Sequence, residues 1–267
     1  MVMGPTHAMS GAAAWLAGSW ALGEWMGLHQ RPAELVVGAA VCAGAALLPD
    51  LDCSGRVTAN KGGATVARTF GVASLFLAEC VEKFALAVYT VTRAKHDPKR
   101  KNGHRTLTHT WVFNVALGGL VAFLAGHWGK PFVIGLLFFT LGLAIRGLLA
   151  DWAKERGWIV VTLLSAGAAY GAWLWLPADR GYPLLGLAIA FGGVIHTLGD
   201  MITRAGCPVL WPLPLAGRVW REIGVPNFMA VQVNGGFERG FLRPFFVIVA
   251  GLAGILLAVP DILDHLR

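Results

Sequence analysis

The stretch that decides the fold is residues 157–176, GWIVVTLLSAGAAYGAWLWL, which holds no charged side chain. A helix needs about 20 mostly apolar residues to cross the hydrocarbon core of a bilayer, and roughly 17 at the short end. The small residues of this stretch are typical of membrane helices that pack closely. Its tryptophans are typical of the membrane–water interface. The stretch therefore predicts a transmembrane helix.

Further segments fit the same requirement, although two of them (34–48 and 245–259) are short. They are 8–27, 34–48, 107–126, 131–150, 183–199 and 245–259. The composition agrees, because 56% of the residues are hydrophobic and only 14% are charged, whereas soluble domains carry about 25% charged residues. We predict an all-α, polytopic transmembrane helical bundle of about seven spans, forming a single membrane-embedded domain over residues 1–267.

Segment 70–91 is apolar but carries Glu79, Glu82 and Lys83 at its centre. Each charge at the centre of a membrane helix costs about 2.5–3.5 kcal/mol. An i,i+4 pair of Glu79 with Lys83 returns only a few tenths of a kcal/mol. We therefore predict an interfacial or re-entrant amphipathic helix.

If 70–91 does not cross, the basic loops fall mainly on one side. That side holds the N-terminus, 49–69, 93–106, 151–156 and 200–244. It carries sixteen Lys and Arg residues, against four on the other side. The positive-inside rule then predicts an integral protein of the inner (cytoplasmic) membrane of a bacterium, with its N-terminus in the cytoplasm. In a membrane protein the net charge of +7 reports orientation first, and no nucleic acid partner is expected.

Side chains that bind metals fall at the predicted cytoplasmic ends of the helices. These are His7, Asp50, Asp52, His104, His109, His196, Asp200 and Glu238. Imidazole and carboxylate together bind zinc, manganese or iron. We therefore predict two or more divalent metal ions, with zinc first and manganese or iron as alternatives.

Spacing adds detail to this prediction. His196 and Asp200, at i,i+4, share one helical face and could hold one ion. Asp50 and Asp52 could bridge two ions if their turn is extended. No HExxH motif and no glycine-rich phosphate loop occurs in the sequence, which argues against zincin proteases and P-loop enzymes.

Simpler explanations exist for each element taken alone. A single histidine at a helix end usually meets solvent, and His104 and His109 could contact lipid phosphates from their basic loop. Polar residues at membrane depth, such as His196 and Asp200, are costly and usually functional. The cysteines are interpreted as packing residues. The remaining histidines are predicted to be surface residues: His29, His96, His127 and His265.

The motifs resemble those of the YdjM-like family over about residues 4–245. They are Thr6-His7 with Gly11, Leu48-Pro49-Asp50-Leu51-Asp52, His104-Arg105-Thr106-Leu107-Thr108-His109, and His196-Thr197-Leu198-Gly199-Asp200 with Thr203 and Gly206. That family is described as inner-membrane metal-dependent hydrolases, sometimes labelled LexA-binding. We read the label as a statement about gene regulation and infer no bound repressor. The resemblance implies metal-dependent hydrolase activity, with Glu238 carried over as a ligand. The His and Asp set is also loosely similar to that of zinc-dependent phospholipases C.

The sequence thus predicts a metal-dependent hydrolase that cleaves an ester or phosphoester of a lipid or another amphipathic substrate. Asp52 and Glu238 are the predicted catalytic carboxylates, and Arg105 and Arg204 are predicted to neutralise a phosphate. Two alternatives remain open. One is a divalent metal-ion transporter using the same ligands, and the other is a non-catalytic membrane protein whose basic loops bind lipid or a partner.

Overall fold

The structure, a computed structural model, describes residues 3–53, 64–176 and 181–259, and its regular elements there are helices. The helices are α1 Gly4–Met26, α2 Pro32–Ala45, α3 Ala64–Ala67, α4 Val72–Thr92, α5 Trp111–Trp128, α6 Lys130–Leu148, α7 Ala150–Trp175, α8 Gly181–Met201 and α9 Arg243–Ala258. Two 3₁₀ turns, Pro49–Asp52 and Leu107–His109, and a π-helical turn, Glu238–Leu242, complete them. The described ranges contain isolated β-bridges within residues 203–231 but no β-strands. The all-α prediction is confirmed.

Six helical segments among the described residues are long and apolar enough to cross a membrane. They are Pro32–Asp52, Trp111–Trp128, Lys130–Leu148, Ala150–Trp175, Tyr182–Met201 and Glu238–Ala258. The predicted count of seven is not confirmed, because α1, although 23 residues long, is not among them. Helix α4 is also not among them, and its interfacial position stays a prediction. Predicted loops 49–69 and 177–182 lie partly outside the described residues, and His265 lies outside them altogether.

Small residues bring the central helices into backbone contact. A Cβ atom on Gly44 of α2 would lie 2.0 Å from the carbonyl oxygen of Thr140 in α6. A Cβ on Gly118 of α5 would lie 2.5 Å from the carbonyl oxygen of Gly186 in α8. Any larger residue would force these helices apart. The four helices therefore pack as small-residue membrane interfaces do, around buried side chains such as Leu137.

The boundary between α6 and α7 differs from the prediction of a loop at 151–156. Helix α7 begins at Ala150 and continues through a kink at Gly157, whose φ is 79°. Only glycine adopts this left-handed conformation at little cost. Asp151 lies in the first turn of α7, where the helix dipole favours a negative charge, and Arg146 of α6 donates a hydrogen bond to the Ala153 carbonyl. The polar segment is thus helical and not a loop, and the non-helical Gly157 separates it from the apolar helix that follows.

One end of the bundle collects the chain segments that the sequence singled out. Helices α1, α5 and α9 begin there, and α2 and α8 end there. Helix α4, the loop before α5 and the loop after α8 cover this end. Asp97 accepts hydrogen bonds from the backbone N–H groups of Val219 and Trp220, and the Trp220 ring packs against Tyr89 of α4. The covering loops are therefore fixed to α4.

Candidate metal centre

The end of α2 places two aspartates and a cysteine at the centre of the cluster. Pro49 starts a 3₁₀ turn, so the Asp50–Asp52 turn is not extended as the bridging hypothesis required. The turn nevertheless brings Asp50, Asp52, Cys53 and His104 together, with their ligand atoms within 4.8 Å of one another. Asp50, Asp52 and Cys53 are all buried.

Asp52 is held by the segment that precedes α5. Its Oδ1 lies 2.7 Å from Nδ1 of His104, and its Oδ2 accepts hydrogen bonds from the Arg105 backbone N–H and the Thr108 hydroxyl. Burial lowers the pKa of His104, but the charge and hydrogen bond of Asp52 and the charge of Asp50 together outweigh burial, so the net pKa is above the usual value. Nδ1 of His109 lies 3.2 Å from Asp52 Oδ2. Asp52 thus fixes both histidines.

The segment before α5 has local reasons for its shape. The Thr110 hydroxyl accepts a hydrogen bond from the Phe113 N–H and caps α5, as threonine commonly does. The Asn114 side chain donates to the carbonyl groups of Thr108 and Thr110. A Cβ on Gly103 would lie 2.1 Å from the Glu82 carbonyl oxygen of α4. Glycine is therefore required for the His104 loop to lie against α4.

Helices α1 and α8 supply the second part of the cluster. The rings of His7 and His196 stack with centroids 3.9 Å apart, and Nε2 of His7 lies 3.3 Å from Oδ1 of Asp200. Nδ1 of His196 bonds the Ala46 carbonyl at 2.7 Å. Since a carbonyl only accepts, Nδ1 carries the proton, which leaves a lone pair on Nε2. This nitrogen lies 3.2 Å from Nε2 of His109 and 3.8 Å from a carboxylate oxygen of both Asp50 and Asp200.

Three overlapping groups among the described residues could hold metal ions. They are Asp50, Asp52, Cys53 and His104; His7, His196 and Asp200; and Asp50, His109 and His196. Seven of the eight predicted ligands belong to these groups. Asp50 and His196 each belong to two groups, so the centre can accommodate neighbouring ions that share ligands.

The donor set fits divalent cations. Nδ1 of His7 and Oδ1 of Asp50 are buried without a hydrogen-bond partner, and Nε2 of His7 has its 3.3 Å contact with Asp200 but no aligned hydrogen bond. Such an arrangement costs free energy unless something binds these atoms. Three buried aspartates also face a single buried guanidinium, that of Arg105. Cations bound among these residues would compensate the excess negative charge and satisfy the unpartnered atoms.

Arg105 is engaged within the protein. It donates to Asp200 Oδ2 at 2.7 Å and to the carbonyl oxygen of Gly206 at 3.1 Å. Burial lowers the pKa of Arg105, but the neighbouring negative groups, with Asp200 first among them, together raise it by more, so the guanidinium stays charged. Its backbone φ is 56°, an uncommon conformation for a non-glycine residue that often occurs at functional sites. Arg105 therefore orients Asp200.

Besides Arg105, two predicted site residues lie outside the three groups. The buried Glu238 carboxylate accepts hydrogen bonds from the backbone N–H groups of Met3 and Asn234 and from the Thr6 hydroxyl. It joins the start of α9 to the start of α1, so its oxygens are already used. Arg204 is exposed, and the structure does not bring it into the cluster.

Cys53 is a candidate ligand that the sequence analysis treated as a packing residue. Its Sγ lies 2.9 Å from Nδ1 of His104. Burial, followed by the negative charge of Asp50 and Asp52, raises the pKa of the thiol above its usual value. The sequence feature that could have identified Cys53 as a candidate ligand is its position directly after Asp52, because the other candidate ligands also lie at helix ends.

The fold and the cluster define a polytopic helical membrane protein with buried His and Asp groups able to hold metal ions. Residues 1–162, more than half of the chain, match the family described as YdjM inner membrane protein, and the chain belongs to that family. The matched residues include His7, Asp50, Asp52, His104 and His109. Searches among curated proteins and among solved structures found no match.

Proposed function

We propose that the protein is a metal-dependent hydrolase of the cytoplasmic membrane, which cleaves an ester or phosphoester bond of an amphipathic substrate. The observation that carries this proposal is the set of buried, unpartnered ligand atoms on His7 and Asp50 beside His196. A purely structural cluster would satisfy its own polar atoms. This cluster leaves donor atoms available at helix ends, which in a bilayer would lie near the lipid headgroups.

The residues of the cluster have different proposed roles. Asp50 and His196 are shared between groups and would hold neighbouring cations, while Asp52 orients His104 and His109. His104 has 24% of its side chain exposed, whereas the other histidines of the cluster are buried, so the centre reaches solvent at His104. Bound divalent cations would polarise the ester or phosphoryl oxygen and lower the pKa of a water molecule to about 7.

The position of the cluster favours hydrolysis over metal transport. Transport sites tend to lie near the bilayer midplane, where broken helices meet. Here His7 begins α1, Asp50 follows α2, and His196 and Asp200 end α8. No ligand group among the described residues lies at the middle of the bundle.

Metal analysis and enzyme assays test the proposal together. Protein purified without chelators is expected to contain two or more divalent metal ions per chain by mass spectrometry, and to hydrolyse at least one member of a panel of lipid and soluble phosphoesters. Asp200→Ala and the milder Asp200→Asn should lower turnover more than about 100-fold, because even residues that only support metal ligands contribute about 10–100-fold. Exposed His127, at the far end of α5, is the matched control, and His127→Ala should keep full activity. Metal-free protein, or unchanged turnover in Asp200→Ala, would contradict the proposal.

Orientation needs its own test, with the cluster proposed to face the cytoplasm. Single cysteines replacing Arg68 and Asn102, on either side of α4, should react with an impermeant thiol reagent only from the cytoplasmic side. A cysteine replacing His127 should react only from the opposite side. Cys80 is exposed and should first be changed to serine. Labelling of positions 68 and 102 from opposite sides would show that α4 spans the membrane.

A further inference from the structure

A cleft of about 310 Å³ separates α1, α8 and α9 beside the metal centre. Ile195 and Leu198 of α8 and Phe245, Phe246 and Val249 of α9 form two of its walls, at helical spacings that place each set on one face. On α1, the wall runs from Thr6 to Ala14, about 12 Å along the helix axis. The side chains of Ala13 and Ala14 are small, which leaves space for the cleft between the helices.

The cleft is apolar except at one end, where Thr6, His7 and Ser10 line it. His7 belongs to the cleft wall and to the metal-binding group with His196 and Asp200. A ligand lying in the cleft would therefore meet the metal centre at the imidazole of His7. The opposite end is hydrocarbon-like.

The surroundings of the cleft indicate what fills it. Helix α9 exposes Val247, Ile248, Leu252 and Ile255, a surface suited to lipid. In a bilayer the molecules available to an apolar cleft beside this helix are lipid chains. A second apolar cleft, of about 510 Å³ between α2, α6 and α7, has no titratable side chain in its wall. Of these two clefts, the first joins apolar walls to ionisable groups.

The polar end also has a guanidinium and a carboxylate beside it, because Arg243 and Glu238 both hydrogen-bond to the Thr6 hydroxyl. Arg243, half-buried at the start of α9, donates from Nε to the Thr6 hydroxyl at 3.1 Å. Since Thr6 lines the cleft, the guanidinium lies near its polar end, where arginine is suited to phosphate oxygens.

We infer that this cleft holds one acyl chain of an anionic phospholipid, which approaches sideways from the bilayer and presents its headgroup linkage at His7. That the bound lipid is hydrolysed rests on the proposed function. The inference adds to that function an acylated phosphoester as the substrate class. Hydrolysis would break one P–O ester bond of that linkage: the oxygen of a water molecule would bond to phosphorus, and the released alcohol would take up a proton.

Photo-crosslinking tests binding without requiring turnover. The full-length protein is placed in vesicles that contain phosphatidylglycerol with a diazirine near the end of one acyl chain, and the adducts are mapped by mass spectrometry. Adducts are expected on α1, α8 and α9 along the cleft. Ala14→Phe should lower them about tenfold or more, because displacing even two methylene groups corresponds to about that factor. Ala40→Phe, a half-buried alanine in the wall of the second cleft, is the matched control and should leave them unchanged.

A second variant and a second substrate keep the outcomes distinct. Val249→Phe fills the cleft from α9 and should act like Ala14→Phe, with metal content reporting that both variants fold. In assays, both should slow phosphatidylglycerol cleavage but not cleavage of the soluble bis(4-nitrophenyl) phosphate. Adducts in the cleft without any hydrolysis would support the lipid site and contradict the enzyme. Metal-dependent hydrolysis with no cleft adducts, or with adducts insensitive to both variants, would overturn the lipid site alone.

Discussion

Two buried carboxylates at the same end of the bundle, those of Asp50 and Glu238, have opposite surroundings. Both side chains are almost completely buried. Glu238 accepts hydrogen bonds from Met3, Thr6 and Asn234, whereas Oδ1 of Asp50 has no hydrogen-bond partner. The first arrangement stabilises helix packing, and the second leaves an oxygen available to a ligand. Burial of an acid at a helix end is therefore not by itself a sign of a metal site.

The largest expected effect comes from Asp50→Asn. This change keeps the shape of the side chain but removes the charge shared by two metal-binding groups. Metal content should fall and hydrolysis should drop more than about 100-fold, beyond the 10–100-fold typical of supporting residues. The metal-free variant should be as stable as the wild type or more so, because a buried charge without a hydrogen bond at Oδ1 has been removed. Thermal unfolding with and without a chelator measures both effects. Wild-type metal content in this variant would show that Asp50 is not a metal ligand and would remove its contrast with Glu238.

Glu238→Ala is expected to have the reverse pattern. Each buried donor left without an acceptor costs about 1–3 kcal/mol, so the loss for the Met3, Thr6 and Asn234 donors should reach about 2 kcal/mol or more. Metal content should stay at the wild-type value because Glu238 lies outside the three groups. Glu238→Gln should be intermediate, since one amide oxygen can still accept. Loss of metal at unchanged stability would instead make Glu238 a ligand, as the sequence predicted.

Cys53→Ser should have the smallest effect and sharpens the assignment of the first group. Thiolate favours zinc over manganese, so zinc affinity should fall about tenfold, the lower end of typical supporting-residue effects, while manganese affinity changes less. Competition with a chromogenic chelator measures both affinities. Equal affinities in variant and wild type would make Cys53 only a packing neighbour of His104.

The sequence predicted the convergence of the seven ligands because each lies at the end of a long apolar segment. Alternation of the spans then requires those ends to meet on one side. It could not predict the role of Glu238, because one of the groups that donates a hydrogen bond to its carboxylate is the backbone N–H of Met3, at the other end of the chain. It also missed the helical start of α7, since charged residues between apolar segments look like a loop. Cys53 was missed because thiols pack and bind metals equally well, and only its distance to His104 separates the two uses.

The candidate ligands are dispersed along the chain from His7 to Asp200, and this dispersion has a consequence for biogenesis. During synthesis the N-terminal helices enter the membrane while α8 has not yet been made. The group of Asp50, Asp52, Cys53 and His104 precedes α8 in the chain, but the two groups that contain His196 are incomplete until α8 has been inserted. Metal binding by those two groups would thus follow the insertion of α8, and it would close a loop of almost 200 residues between His7 and Asp200. The ions would act as a clasp that marks a fully inserted chain.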